Sequence, residues 1–316
     1  MLCVGGEALV DLVPAPATGP GELGPLLPLP GGGPYNVAIA LGRLGVPVRF
    51  LSRLSTDPFG DALLDRLQLS GVDTSLVRRG DEPTTLAVAG IGPDGSARYS
   101  FHVEGTADRL VADPGELPDD VTTLSLGTLS LVLEPGATTY ETLLRRHSAR
   151  GGLTVVDPNI RARMIDDPAA YRARFAGWLP DIGVLKLSVE DAAWLTGGRG
   201  NHDPMAAVRE WLTKGPVAAV VTRGADGLVA LTSDGIEVEV PTVPAAVVDT
   251  IGAGDTVHGA LLAWLHRAGI TTAAAVRDID LVGWREALEF AAHAASVTVS
   301  RAGAEPPYAA ELRVHP

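Results

Sequence analysis

The period of the apolar positions changes repeatedly along the chain, and those changes divide it into elements. Residues 2–10 form an apolar run of strand length that delivers Asp11 to its end. Val37, Ala40, Leu41 and Leu44 then fall at the i, i+3, i+4, i+7 spacing of a helix with one buried face, and Gly45 stops it. Residues 46–52 read as a β-branched and aromatic strand, and 58–70 as a helix with Phe59, Ala62, Leu63 and Leu67 inward. Two strand-like runs, 84–91 and 96–103, flank the turn Gly92-Pro93-Asp94-Gly95 with no helix between them, which predicts a hairpin. From residue 122 strands and helices alternate. Strands are expected at 122–126, 153–156, 182–187, 217–222, 227–231 and 237–240, and helices near 136–148, 168–177, 188–196, 204–213, 256–268 and 286–299. That alternation is the pattern of a parallel sheet with helices on both faces, an α/β architecture.

Residues 13–30 interrupt the pattern. They are dense in Pro and Gly, yet Leu23, Leu26, Leu27 and Leu29 make them too apolar for a free linker. Loop or short edge strands fit this composition, with a lid sheet or a dimer partner covering the leucines. The expected organisation is a main α/β domain of 1–10, 31–80 and 104–316, with 11–30 and 81–103 inserted as a small β-lid. A homodimer through the lid follows from the leucines.

Composition narrows the class. A net charge of −13 argues against nucleic acid and anionic membranes as partners, since both need a basic footprint. No apolar run approaches a membrane span, and the N-terminus has no basic residue ahead of its apolar stretch, so no signal peptide is expected. The single cysteine, Cys3, excludes an internal disulfide framework, fits a cytoplasmic protein and reads as filler in the buried first strand. An acidic protein that binds phosphates must do so locally, through backbone donors, a few basic side chains and a metal. There is no G-x-x-x-x-G-K-[S/T] loop, no G-x-G-x-x-G after the first strand, and no zinc-protease spacing among the histidines.

The chemistry concentrates in Asp249-Thr250-Ile251-Gly252-Ala253-Gly254-Asp255-Thr256. A helix begins at once after it, so Gly252, Ala253 and Gly254 sit at a helix N-terminus, where N–H groups lack helical partners and the macrodipole is positive. Small residues there let an anion reach the backbone, which makes them an oxyanion cradle. Asp255 repels a phosphate unless it has its own task, such as taking a proton from an attacking hydroxyl; capping of the helix is the competing explanation. Upstream, Gly31-Gly32-Gly33 permits close backbone approach to a ligand, and Asn36 offers a donor and an acceptor to a hydroxyl.

Residues 249–259, D-T-I-G-A-G-D-T-V-H-G, resemble the C-terminal signature of the ribokinase-like (PfkB-type) sugar kinases, and G-G-G-P-Y-N-V-A at 31–38 resembles their N-terminal signature. The similarity runs from Gly5-Gly6-Glu7 to Arg301-Ala302-Gly303-Ala304. It implies a ribokinase-like fold and an ATP-dependent kinase of a small sugar, with Mg²⁺ bridging the phosphates. By that resemblance Asp11, Gly32, Gly33, Asn36 and Arg161 of Asp157-Pro158-Asn159-Ile160-Arg161 surround the sugar, and Asp255 is the base. Lys186 and Ser188, at the strand-to-helix turn Lys186-Leu187-Ser188-Val189-Glu190-Asp191, border the nucleotide phosphates. There the family often shows N-x-x-E; here Ser188 and Asp191 stand in those places, so Asp191 or Glu190 would act on the metal only through water, and a Ser cap with acids in the first helical turn explains the same letters. Thr222, Gly224 and Gly227 resemble the family's T-x-G-x-x-G nucleotide loop. Phe290, Ala292 and Ser296 are either an adenine slot or core packing. Asp249 and Ile251, with the 301–304 loop, resemble a monovalent-cation (K⁺) site built on backbone carbonyls. Val257 replaces the family's usual Phe. The two signatures look most like fructokinases, which makes D-fructose the expected substrate. 2-Keto-3-deoxygluconate, ribose, a nucleoside, or silent sugar binding without catalysis are the alternatives.

Overall fold

The computed structural model describes residues 1–15, 24–91, 97–197 and 203–312; Leu23 and the 92–95 turn lie outside them. The first apolar run does not remain one strand. β1 (Leu2–Gly5) is fully buried, Cys3 included, and the chain then breaks at Gly6 with φ 153°. Any Cβ at Gly6 would lie 2.2 Å from the Pro34 ring, so only glycine allows this break. β2 (Leu9–Pro14) therefore enters a different sheet, and Asp11 sits in the middle of that strand rather than at the end of the first one.

β3 (Leu26–Gly31) pairs antiparallel with β2, and α1 (Gly33–Arg43) begins three residues before Asn36, with Pro34 in its first turn. β4 (Val48–Ser55) and α2 (Pro58–Leu69) follow, and the Asp57 carboxylate caps α2 by accepting the Gly60 N–H at 2.7 Å. Next come β5 (Val77–Gly80), β6 (Thr85–Ile91), β7 (Ala97–His102), β8 (Thr123–Gly127), α3 (Gly136–Ala149) and β9 (Leu153–Asp157). The chain continues through α4 (Pro168–Trp178), β10 (Val184–Ser188), α5 (Val189–Leu195), α6 (Pro204–Leu212), β11 (Ala218–Thr222), β12 (Leu228–Thr232) and β13 (Glu237–Val240). α7 (Ala253–Arg267), α8 (Ala273–Arg277) and α9 (Leu281–Val299) complete it.

The strands form a nine-stranded sheet, β13-β12-β11-β10-β9-β8-β1-β4-β5, and a four-stranded one, β3-β2-β6-β7. The large sheet is parallel except where β12 pairs with β11 and β13. β5 and α8 carry too weak a pattern to be expected from sequence, since β5 is Val-Arg-Arg-Gly and α8 only five residues. Helices α1, α7 and α9 cover one face of the large sheet around Leu41, Leu261 and Trp284. The other face packs under α3, α4, α5 and α6 around Tyr140, Trp178 and Trp211. No helix among the described residues is long and apolar enough to cross a membrane.

One packing detail positions the site. α1 and α7 cross so closely that a Cβ on Gly259 would lie 2.7 Å from the Ala40 Cβ and 3.3 Å from the Val37 carbonyl. Because each helix starts at a glycine loop, this crossing brings both N-termini to one place. Gly259→Val should cost about 1–3 kcal/mol by overpacking, read by urea unfolding, although valine is a better helix former than glycine. An unchanged unfolding midpoint would show that the crossing has slack.

Candidate active site

The carboxyl ends of β1, β8, β9, β10 and β11 open with the N-termini of α1 and α7 onto a cleft of about 740 Å³, and the small sheet forms its opposite wall. Ligands of open α/β sheets bind in this position. At its floor Asn36 Nδ2 donates to Asp255 Oδ2 at 2.8 Å, tying the first turns of α1 and α7 together. Burial raises the Asp255 carboxyl above the usual carboxylate range, while the Asn36 hydrogen bond and the Lys186 charge oppose that rise. Asn36 occupies one oxygen of Asp255, and the side chain faces the cleft.

The cradle is narrower than its sequence suggests. Gly252 holds φ 76°, and a Cβ there would press within 2.6 Å of the Ala304 Cβ. The Ala253 N–H folds back to the Thr250 carbonyl at 3.3 Å, whereas the Gly252 and Gly254 N–H groups have no acceptor among the described residues. Those two amides are the free donors. A Cβ on Gly254 would stand 3.3 Å from Lys186 Nζ, so the ammonium lies against the cradle. Lys186 is 4% exposed and donates to Asp157 Oδ2 at 2.7 Å. Burial pushes the Asp157 carboxyl up, but Lys186 and His258 outweigh it and hold the group below its ordinary value.

Ser188 and Asp191 form a capping box: Asp191 Oδ2 accepts from the Ser188 N–H and hydroxyl at 3.0 and 2.8 Å, and the Asp191 N–H donates to Ser188 Oγ. Asp191 Oδ1 accepts the Ile160 N–H at 2.7 Å, so both oxygens fix loops. Glu190, by contrast, is exposed on the cleft. Asp249 is also occupied: its oxygens accept the N–H groups of Ile251 and Gly303 at 3.0 and 2.9 Å, joining the loops before α7 and after α9. Among the described residues no group of three or more His, Cys, Asp or Glu side chains is placed to hold a metal ion.

Asp11 reaches the cleft from the small sheet, where burial pushes its carboxyl up to about 6 against the pull of Arg161. Arg161 is exposed there and donates to the Asn159 carbonyl and Oδ1 at 3.0 and 2.7 Å, while Asn159 holds the left-handed φ of 36°. Tyr99 and Phe101 stack at 6.1 Å on the cleft face of β7. A second pocket of about 210 Å³ joins Thr222, Gly224, Gly227, Ala292 and Ser296 with Thr242 and Val243. Val257 lines it too; Phe290 instead lies beneath the Arg267 guanidinium, 5.3 Å away.

Glu7 was not singled out by sequence as a site residue. It is buried on the cleft wall, accepts the N–H groups of Gly33 and Ser130 at 3.3 and 3.0 Å and the Thr128 hydroxyl, and burial pushes its carboxyl up to about 7 against those bonds. It holds the glycine loop to the turn after β8, where Thr128 takes φ 60°. An acid directly after Gly5-Gly6 at a strand end is the signal that points to it. Arg163, on the same rim as Arg161, carries no such signal.

A family model described as pfkB family carbohydrate kinase matches residues 1–310, and the chain belongs to that family. It is 40% identical over 282 residues to a fructokinase of Rhizobium leguminosarum bv. trifolii, covering 89% of this chain and 84% of that protein. Among solved structures it resembles a Xylella fastidiosa fructokinase with bound ATP, with TM-score 0.86 and 29% identity over 96% of this chain and 93% of that one. An aminoimidazole riboside kinase from Salmonella enterica, complexed with its riboside and an ATP analog, superposes with TM-score 0.79 and 26% identity over 96% and 94% of the two chains. The fold is accordingly that of the ribokinase-like kinases, and the protein is a phosphotransferase acting on a carbohydrate hydroxyl.

The Asp157–Lys186 pair makes a stability prediction. Lys186→Met leaves a buried carboxylate without its cation and should cost about 3–5 kcal/mol, measured by urea unfolding. Adding Asp157→Asn should recover most of that loss, because both charges are then gone. A double variant as unstable as the single one would rule out the charge as the cause.

Proposed function

We propose that this carbohydrate kinase transfers the γ-phosphoryl group of ATP to a primary hydroxyl of D-fructose. The observation that carries the kinase mechanism is Asp255, fixed by Asn36 through one oxygen, on the cleft floor beside two unpaired amides and a buried ammonium. Its other oxygen accepts the proton of the sugar hydroxyl as that oxygen attacks phosphorus, and its raised pKa brings it closer to neutral working conditions. The Gly252 and Gly254 N–H groups and Lys186 meet the charge spreading over the transferred group. The second pocket has the small, mostly apolar walls that a flat base needs. Glu190, exposed on the cleft, would hold a Mg²⁺ through water, and that ion would supply charge neutralisation to the phosphates. Asp11, Asn36 and Arg161 grip the sugar hydroxyls, with Tyr99 and Phe101 against an apolar face of the ring.

Fructose rests on the two signatures and on the fructokinases that the chain resembles. An ADP-release assay with fructose, 2-keto-3-deoxygluconate, ribose, adenosine and aminoimidazole riboside tests it. Fructose should give the highest kcat/KM; a pentose or nucleoside well above it overturns the substrate, and no sugar-dependent ADP would leave a silent binding protein. Asp255→Asn keeps shape and capping ability but loses the proton acceptor, so kcat should fall by about two to four orders of magnitude with little change in either KM. Turnover within a few-fold of the parent would remove Asp255 from the chemistry.

Asp11 gives the sugar affinity a pH dependence. A carboxylate accepts two hydroxyl hydrogen bonds and its protonated form fewer. With its pKa raised to about 6, the ionised form prevails above that value and is lost as pH falls through it. The sugar KM should therefore rise by roughly tenfold per pH unit below the pKa, and Asp11→Asn should have a high KM with a flattened acid side. A KM independent of pH from 7 to 5 would exclude Asp11 as an ionised sugar ligand.

The lid also supports a homodimer. Leu26, Leu27 and Leu29 are 43%, 54% and 37% exposed on the edge strand of the small sheet. Pro28 and Pro30 lack N–H groups, which disfavours strand addition and leaves face packing as the mode. The register pairs Asp11 with Leu29 and Val13 with Leu27, so those leucines share the face that Asp11 presents to the cleft. Sedimentation at micromolar concentration should show a dimer that Leu27→Lys dissociates; a fully active monomer would refute it.

A further inference from the structure

Behind Asp255 lies a buried polar chain, Ser125, His258 and Asp157, that lines neither the main cleft nor the second pocket and meets the cleft through Lys186. His258 follows Asp255 by three residues on α7, a spacing that keeps both on neighbouring positions of the helix surface, and is 2% exposed. Its Nε2 stands 3.1 Å from Ser125 Oγ on β8, and its Nδ1 stands 3.7 Å from Asp157 Oδ2 on β9. Asp157 Oδ2 in turn receives Lys186 Nζ from β10, whose ammonium lies against Gly254 of the cradle. Asp157 Oδ1 is buried with no partner, and a water-sized void of about 10 Å³ lies between Ser125, Asp157, His258 and Asp255.

We infer that His258 is a positioning residue for phosphoryl transfer, acting through Asp157 to fix the Lys186 ammonium at the cradle. A buried imidazole among apolar neighbours is costly unless its nitrogens are engaged, and here one faces a hydroxyl and the other a carboxylate. The carboxylate selects the form in which Nδ1 carries a proton toward it; Nε2 then accepts from Ser125 Oγ–H. With one oxygen free and a void beside it, the Asp157 carboxylate has room to rotate. Lys186 holds it by a hydrogen bond, and the imidazole, 3.7 Å away and itself anchored to a central strand, is the rigid neighbour that limits its rotation. Without it the Asp157–Lys186 pair shifts as a unit, and the ammonium leaves the place where transferred charge develops. Misplacing a group that meets developing charge lowers the rate of the chemical step more than it weakens binding.

This inference rests on the phosphoryl-transfer reading above, not on fructose, and whichever sugar the wild type phosphorylates serves as substrate. The test uses three substitutions in the full chain with steady-state kinetics and thermal unfolding. His258→Asn keeps an N–H at the Nδ1 position and loses the Ser125 contact; His258→Gln does the reverse; His258→Leu keeps neither. Gln and Leu should lower kcat by about 10- to 100-fold with the sugar KM within twofold, while Asn retains kcat within a few-fold, although all three melt at similar temperatures. Ser125→Ala, a smaller change that keeps the fold, should lower kcat several-fold. Equal losses for Asn and Leu, a Leu variant with wild-type kcat, or activity that only follows melting temperature would overturn the assignment. Failure of the transfer reading itself would appear separately, as an active Asp255→Asn enzyme.

Discussion

Most of this site depends on how near two helices can come. α1 and α7 begin at separate glycine loops more than two hundred residues apart, and only the missing side chain at Gly259 lets their axes close over Ala40. That approach turns two ordinary helix starts into one electropositive corner, with Asn36 and Asp255 within hydrogen-bonding distance. The large sheet then needs only to deliver Lys186, Asp157 and Ser188 from adjacent strand ends to the same corner. Parallel strands do this without further design, since their carboxyl ends all open on one edge.

The acids around the cleft are sorted by surroundings rather than by type. Asp157 is held ionised by a cation at contact, Asp191 and Asp249 are consumed by backbone donors, and Asp11 and Asp255 are pushed upward by burial with a free oxygen each for other partners. In a chain of net charge −13 this sorting matters, because every uncompensated carboxylate near the cradle opposes a polyphosphate. Glu7 shows the intermediate case, with three donors offsetting an otherwise unfavourable burial.

Much of this was legible in the letters. The alternation after residue 122 gave the parallel sheet because buried strands and amphipathic helices differ in period, and the two glycine signatures lie where the helices start. Apolar run length failed at residues 2–10, where a single glycine with positive φ sends one hydrophobic stretch into two sheets. β5 escaped because two of its residues are arginine. Asp191 read equally as ligand or cap because capping chemistry and metal chemistry use the same residue types, and its partners at Ser188 and Ile160 are seen only in the folded loops. The Ser125–His258–Asp157 contacts join three elements distant in sequence, which no local pattern records.

The division of labour between the sheets has an evolutionary consequence. Of the groups proposed to grip the acceptor, Asp11, Tyr99 and Phe101 are carried by strands of the small sheet and Asn36 and Arg161 by α1 and the loop after β9, whereas the groups proposed to move phosphate all come from the large sheet and its helices. Few covalent connections join the two, and one of them is the short stretch from Gly6 to Ala8. Drift in the small sheet can therefore change contacts to the acceptor while the transfer apparatus is inherited intact. Selection on substrate range and selection on catalytic rate then act on largely separate sets of codons, and a duplicated gene has a short path to a new substrate.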